Sequence, residues 1–350
     1  GHMVGIRVST GSKPIVEGNR VHSNLSYGIS VLLNASGQFK GNDVRDNAAC
    51  GVWVTTGATP LFDANEIHAN KQEGVFVSDH GRGTFRQNRV FQNFWSGFRI
   101  EGEADPLIQD NQICDGKYFG CLIQRSGLGR LVENDVYNNM SAGVAISTFG
   151  NPTLEGNTLR DGCRQGLLVQ EEGRGRISRC TIQSNNGAGI EIRSAGDPYL
   201  EENTIMEGNA YGVLVCDGGL GLLERNEIKM NRLAGVNVIS AGDPTCNDND
   251  VHDGLGPGLL FSDGGKGRVC HCKVHENAGP GIEVTTNASP SVTHNSIYSG
   301  HSAGIHVHDE GKGIFDDNDI FSNANAGVEV ERNGIPMVRR NSIRDGRLMG

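Results

Sequence analysis

A glycine recurs at every twenty-third residue of the chain, from Gly5, Gly28 and Gly51 through to Gly327 and Gly350, with no insertion or deletion between them. A fixed period of roughly 20 to 50 residues marks a solenoid, in which each unit buries its apolar face only against its neighbours. The period overrides the two-domain organisation that a length of 350 residues would otherwise suggest. It also means that most recurrent residues are structural. Coils are numbered here from their opening glycine, so that Gly5 opens coil 1 and Gly327 opens coil 15.

Within a coil, the residues one and three places after the glycine are apolar, as in Val75 and Val77 of coil 4, and an outward residue lies between them. This period of two is that of a β-strand. Further all-apolar columns lie eleven and sixteen residues after the glycine, from Val16 and Phe39 to Val338 and from Val21 to Ile343. Three short strands per 23 residues, separated by Gly, Asn and Pro, describe a three-sided coil with no room for a crossover helix. Successive coils must therefore pair as parallel strands. The expected fold is all-β, a right-handed parallel β-helix of the pectate-lyase-like kind. With a rise of ~4.8 Å per coil, it would form a rod on the order of 70 Å long. A leucine-rich repeat has a similar length, but its leucine consensus is missing.

Fourteen residues after the glycine stands an asparagine, replaced only by Cys180 and Cys272, which reads as an internal amide ladder at a turn. Nine residues after it, proline and glycine alternate without exception, as in Pro60, Gly83 and Pro106, so the underlying unit is two coils, 46 residues. The opening glycine itself precedes a buried strand, where the requirement reads as backbone permissiveness. Gly1-His2-Met3 reads as a cloning scar. The remainder, 4–350, reads as a single β-helix cut at both ends from a longer protein, since Gly350 opens a further coil and solenoids need caps.

The net charge of −10, with acids dispersed, argues against a nucleic-acid partner. No apolar run is long enough to span a membrane as a helix. Nine cysteines, an odd number without fixed spacing, read as reduced and the protein as intracellular.

Candidate site residues fall in three groups. The G-x-G coils carry Asp79, Glu171, Asp217, Asp263 and Asp309 five residues after the glycine. Spaced two coils, ~10 Å, apart, they are too far apart for a retaining carboxylate pair. The row reads as a repeating recognition edge or as a solvated turn. Two residues after the glycine, at an outward strand position, the same coils place Phe76, Leu122, Leu168, Leu214 and Leu260. Proline coils are mostly polar there, Trp53 excepted. Such a row suggests a partner surface, a covering segment or a dimer face, or else packing along the sheet. Trp95 and Tyr118, in an aromatic cluster with Phe91, Phe94, Phe98 and Phe119, are candidate contact anchors. His252, His271, His275 and His294, near Cys270 and Cys272, are the only metal candidates, and they lack any strong ligand spacing. No coil breaks the period and no catalytic motif occurs, so no catalytic residue and no cofactor is assigned.

The paired units, one running Gly150-Asn151-Pro152-Thr153-Leu154 and then Asn157-Thr158-Leu159, the other GKGIFDDNDIFSNANAGVEV over Gly311 to Val330, resemble the CASH-type β-helix repeats of F-box-only proteins. The resemblance covers the chain after residue 3. It implies a non-enzymatic recognition rod that presents a lateral face to a protein or peptide, as the substrate-binding part of a ubiquitin ligase. No F-box helices or zinc module are present in this sequence. The expected function is thus protein recognition without catalysis. A carbohydrate-binding or polysaccharide-processing β-helix is the alternative, and a structural, self-associating rod a further one.

Overall fold

The computed structural model of the protein describes residues 3–346, so Gly350 and the first two residues of the Gly1-His2-Met3 segment lie outside it. Every coil contributes three strands of three residues; in coil 4 these are Val75–Val77, Thr84–Arg86 and Arg89–Phe91. No helix occurs among the described residues. The chain divides into two compact units, Gly1–Leu168 with Glu172–Cys180 and Val169–Glu171 with Thr181–Gly350. In the first unit, like strands of successive coils pair parallel and in register, as in Val75↔Phe98, Phe85↔Ile108 and Val90↔Ile113. The second unit repeats the arrangement, with Val213↔Val236, Leu223↔Cys246 and Ile228↔Val251. The fold is the right-handed parallel β-helix of about fifteen coils that the period predicts.

Away from the end coils, where Val330, Val338 and Ile343 are exposed, the inward columns are fully buried in both units, for example Val77, Phe85 and Val90, and Val215, Leu223 and Ile228. Each such side chain contributes about 1.5–3 kcal/mol relative to exposure, so the core is a sum of nearly identical layers. Phe39, Phe62 and Phe85 stack along the second sheet at centroid distances of 4.4 and 5.3 Å.

The opening glycine is needed for space rather than for conformational freedom. Gly74 does not adopt a left-handed φ. A Cβ there would lie 2.6 Å from Val90 Cγ1 and 2.8 Å from the carbonyl oxygen of Gly97, so any side chain would have to displace the next coil. The left-handed turn positions are instead held largely by other residues, in coil 4 by Asp79, His80, Gln87 and Gln92.

Proline and glycine alternate because they stack. Gly83 has φ +121°, and a Cβ on it would meet the Pro60 carbonyl oxygen at 2.6 Å and Pro60 Cδ at 3.1 Å. Only glycine fits above the proline of the preceding coil.

The asparagine ladder is present as expected. Asn111 Nδ2 donates to Asn134 Oδ1 at 2.9 Å and to the Phe85 carbonyl at 2.9 Å, while Asn111 Oδ1 accepts from Asn88 N at 2.9 Å. Cys180 and Cys272 continue it through sulfur, accepting from Asn157 Nδ2 at 3.9 Å and Asn249 Nδ2 at 3.8 Å. A second ladder, which the sequence pattern does not predict, runs at the next turn. Asn24 Nδ2 donates to Asn47 Oδ1 at 2.8 Å, and Asn47 Nδ2 to Asn70 Oδ1 at 2.9 Å. Further along, glycines alternate with asparagines, and a backbone amide takes the donor's place, as from Gly116 N to Asn139 Oδ1 at 3.0 Å.

Candidate functional site

The turn that leads from the third strand of one coil into the first strand of the next forms a wall beside the outer face of the first sheet. Its residues vary from coil to coil, from Ala48 and Ala49 to Met140 and Leu255. At coils 4 and 5 it carries Phe94, Trp95 and Tyr118, which are 53%, 44% and 50% exposed. Together with Glu73, Ser96, Arg99, Lys117, Leu122 and Gln124 they line a cavity of about 470 Å3. The wall is apolar and the floor is polar. The aromatic rings are held by their neighbours: Tyr118 packs edge-on against Phe119 at 4.4 Å, and Lys117 Nζ lies 5.2 Å from the Phe94 centroid.

The floor is an ion-pair network. Arg99 Nη1 donates to Glu73 Oε1 at 3.1 Å and Arg99 Nη2 to Glu101 Oε2 at 2.9 Å, which also accepts from Gln124 Nε2 at 3.0 Å. Burial opposes the charge on Arg99, but the hydrogen bonds to Glu73 and Glu101 outweigh it and raise its pKa. Glu73 is buried, and its other oxygen accepts from Cys50 Sγ at 3.2 Å. Burial first, and the Glu73 charge second, push the Cys50 thiol up, which favours its protonated form. The network fixes the direction in which polar groups face the cavity and leaves the rings free to contact a ligand.

The structure brings Trp95, Tyr118 and Leu122 together in this cavity. It adds Glu73 and Arg99, which the sequence reading did not single out. Glu73 carries a signal that stacking the coils exposes: it is the one acid in a column that elsewhere holds small, aromatic or proline residues and Gln165, as in Cys50, Ala142, Tyr211 and Pro257. Phe76 lies under the Arg99 guanidinium at 4.9 Å, and Trp53 packs tilted by 30° against Tyr27 at 4.7 Å while donating to Ser78 Oγ at 3.1 Å.

The alternate-coil row is less open than its outward strand position suggests. Leu168 is only 5% exposed, packed with Ala142 and Ala145, and Phe119 and Leu122 are partly buried against the same cluster. Leu214 and Leu260 are half-buried, flanked in register by Glu191, Asn237 and Glu283. The small side chains of Ala142 and Ala145 leave room for Leu168 to pack against the sheet. Asp79, Glu171, Asp217, Asp263 and Asp309 are exposed, with φ between 44° and 52°, a turn conformation that suits Asp.

The four histidines do not converge on one point. His252 and His275 stack at 4.9 Å on the third sheet, in a column continued by Tyr298, whereas His271 and His294 sit exposed at a turn, 5.3 Å apart. His275 is held by Asp250 at 3.0 Å and Glu276 at 3.0 Å. Cys272 points into the asparagine ladder and is buried there, away from these rings. Among the described residues, the His and carboxylate groups close enough to share a metal ion lie elsewhere, at Glu283, His306 and His308 and at His306, Glu329 and Glu331.

Comparison with solved structures returns polysaccharide-modifying β-helices. The A-module of mannuronan C-5 epimerase AlgE6 from Azotobacter vinelandii superposes with a TM-score of 0.56 at 14% identity, covering 82% of this chain and 90% of that one. A variant of the periplasmic alginate epimerase AlgG gives 0.51 at 12% identity, covering 90% and 76%. At these identities the likeness is one of fold. No curated protein sequence matches the chain. The family model described as "Right handed beta helix region" matches residues 4–159, 142–297 and 271–350, and the chain belongs to that family.

Proposed function

We propose that the protein binds a polysaccharide along the outer face of its first sheet, anchored in the cavity of coils 4 to 6. The observation that carries this reading is the exposed wall of Phe94, Trp95 and Tyr118 facing a fixed polar floor of Arg99, Glu73 and Gln124. A sugar ring has apolar C–H faces and a polar equator, and a groove with one ring-bearing side and one hydrogen-bonding side matches both. The floor's hydrogen bonds are made before any ligand arrives, so little ordering is needed on binding. Mannuronan and alginate epimerases share the fold, which makes uronans the first class to test, and Lys117 at the rim is placed to meet a carboxylate. The reading is one of binding. The charged residues of the floor are locked to one another, and none stands free to move a proton.

The test is titration of the protein with mannuronan, guluronan, polygalacturonate and a neutral glucan, followed by tryptophan fluorescence and calorimetry. Saturable binding that falls by at least about tenfold in Trp95→Ala, equivalent to ~1.4 kcal/mol, is the expected result. Binding equally strong in Trp95→Ala and Tyr118→Ala, or none to any polymer, refutes it. A parallel assay of C-5 inversion and new reducing ends separates binding from turnover.

Protein recognition is the second reading, favoured by the half-buried Leu214 and Leu260. It predicts that Leu214→Glu abolishes partner capture while Trp95→Ala does not. Its link to a ubiquitin ligase rests on the repeat resemblance alone.

A further inference from the structure

We propose that Glu283, His306 and His308 form a binding site for a divalent transition cation of the zinc class, on the outer face of coils 13 to 15. His306-Val307-His308 alternates on a strand and its end, so Val307 enters the core and both imidazoles leave on one face. Their centroids are 4.4 Å apart. The parallel register places Glu283 one coil before His306 and Glu329 one coil after it. Glu331 stands in the same column as His308. The result is two adjacent columns of potential ligands, brought together only by the 23-residue stacking.

The geometry is that of a partly assembled coordination sphere. His308 Nε2 lies 3.0 Å from Glu283 Oε1, and one ligand atom from each of Glu283, His306 and His308 falls within 4.8 Å of the others. His306 Nε2 is buried and has no hydrogen-bond partner, with Glu331 Oε1 3.4 Å away. A buried imidazole nitrogen without a bond calls for an explanation, and a cation at this point supplies it. His308 Nδ1 faces Asp309 Oδ2 at 2.7 Å. A carboxylate on the far nitrogen of a ligating histidine fixes the tautomer and turns the near nitrogen toward the metal. Asp309, whose recurrence marks only a turn in the other G-x-G coils, thus acquires a positioning role here.

The donor set selects the ion. Two imidazoles and one carboxylate suit Zn2+, Co2+ or Ni2+, whereas Ca2+ and Mg2+ prefer all-oxygen shells. Three protein ligands leave a coordination position open to water, to Glu331 or to an external ligand. Because the ligands come from adjacent coils, the ion would also staple those coils together.

The experiment is calorimetric titration of ZnCl2 into the purified, chelator-treated protein, with Co2+ absorption as the spectroscopic readout of coordination. One equivalent is expected to bind at a ~micromolar or lower Kd and to raise the Tm. His306→Ala and Glu283→Gln should each abolish the site and its Co2+ spectrum. Asp309→Asn should retain the stoichiometry and weaken binding by about 10- to 100-fold. His275→Ala, which alters the other histidine stack, should bind as the parent does. Circular dichroism establishes that each variant is folded, and Glu283→Gln serves where His306→Ala is not. Absence of saturable Zn2+ binding, undiminished binding in both His306→Ala and Glu283→Gln, or equal competition by Ca2+ overturns the assignment.

Discussion

Replacing Asn111 by alanine isolates the value of one rung of the amide ladder. The wild-type side chain donates to the Phe85 carbonyl at 2.9 Å and to Asn134 Oδ1 at 2.9 Å, and it accepts from Asn88 N at 2.9 Å and Asn88 Nδ2 at 3.0 Å. Asn134 Oδ1 keeps a second donor, Asn111 N at 3.0 Å, and is not orphaned by the change. The Asn88 N–H, one Asn88 amide hydrogen and the Phe85 carbonyl each lose a bond in a buried turn that water cannot easily enter, and the less buried Gln109 carbonyl loses one of 2.9 Å as well. At about 1–3 kcal/mol for each buried group left unsatisfied, even the lower end of the range sums to about 3 kcal/mol. Asn111→Cys should cost roughly half as much, because a thiol can repeat the sulfur rungs of Cys180 and Cys272. Denaturant unfolding gives the global loss. Because long repeat arrays can lose cooperativity, hydrogen exchange at the Asn88 and Asn111 amides should localise it. If Asn111→Ala unfolds within about 0.5 kcal/mol of wild type, or the Asn88 amide is equally protected in both, the ladder is not a stabilising element and the reasoning fails.

Two further outcomes follow from the turns and the charged edge. Gly258→Ala should destabilise by about 1–3 kcal/mol, since its Cβ would lie 2.5 Å from Val274 Cγ1 and 2.6 Å from the Gly281 carbonyl oxygen. Gly264→Ala, in the same coil with φ +72° and open space around it, should cost only about 1 kcal/mol, and paired thermal melts would compare the two. Asp316 is held below its ordinary value of 3.8 by hydrogen bonds from Arg340, against the opposing effect of burial, and from Arg339. Its contribution is therefore present above about pH 4 and lost as the pH falls through its lowered folded-state value. Hydrogen exchange in coil 15 should accelerate over that acid range in the wild type, and Asp316→Asn should remove that pH dependence.

The fold was legible because every layer repeats the same inward residues. Val77, Phe85 and Val90 are apolar in all coils, and buried contacts between in-register neighbours require nothing else. The Asn111 column was legible for the same reason. The second ladder was not, since from coil 5 onward alternate rungs such as Gly116 bond through backbone amides and leave no side chain to count. The opening glycine was recognised but its cause was not, because steric contact with the next coil is a property of the stack and cannot be read from one repeat. Trp95 and Tyr118 stood out as aromatic residues in a turn, whereas Arg99 and Glu73 acquire meaning only as a pair, 26 residues apart. His306 and His308 do not read as ligands in sequence because their carboxylate partners lie in the coils before and after. The histidines that cluster most densely in sequence, around Cys270, point to different sides of the coil.

The stacking of glycine above proline has a consequence for how such a chain can change in length. Loss of a single coil would set two prolines or two glycines against each other at that turn, whereas loss or gain of a pair restores the alternation. Length changes that preserve the stack therefore come in steps of 46 residues, one proline coil and one glycine coil together.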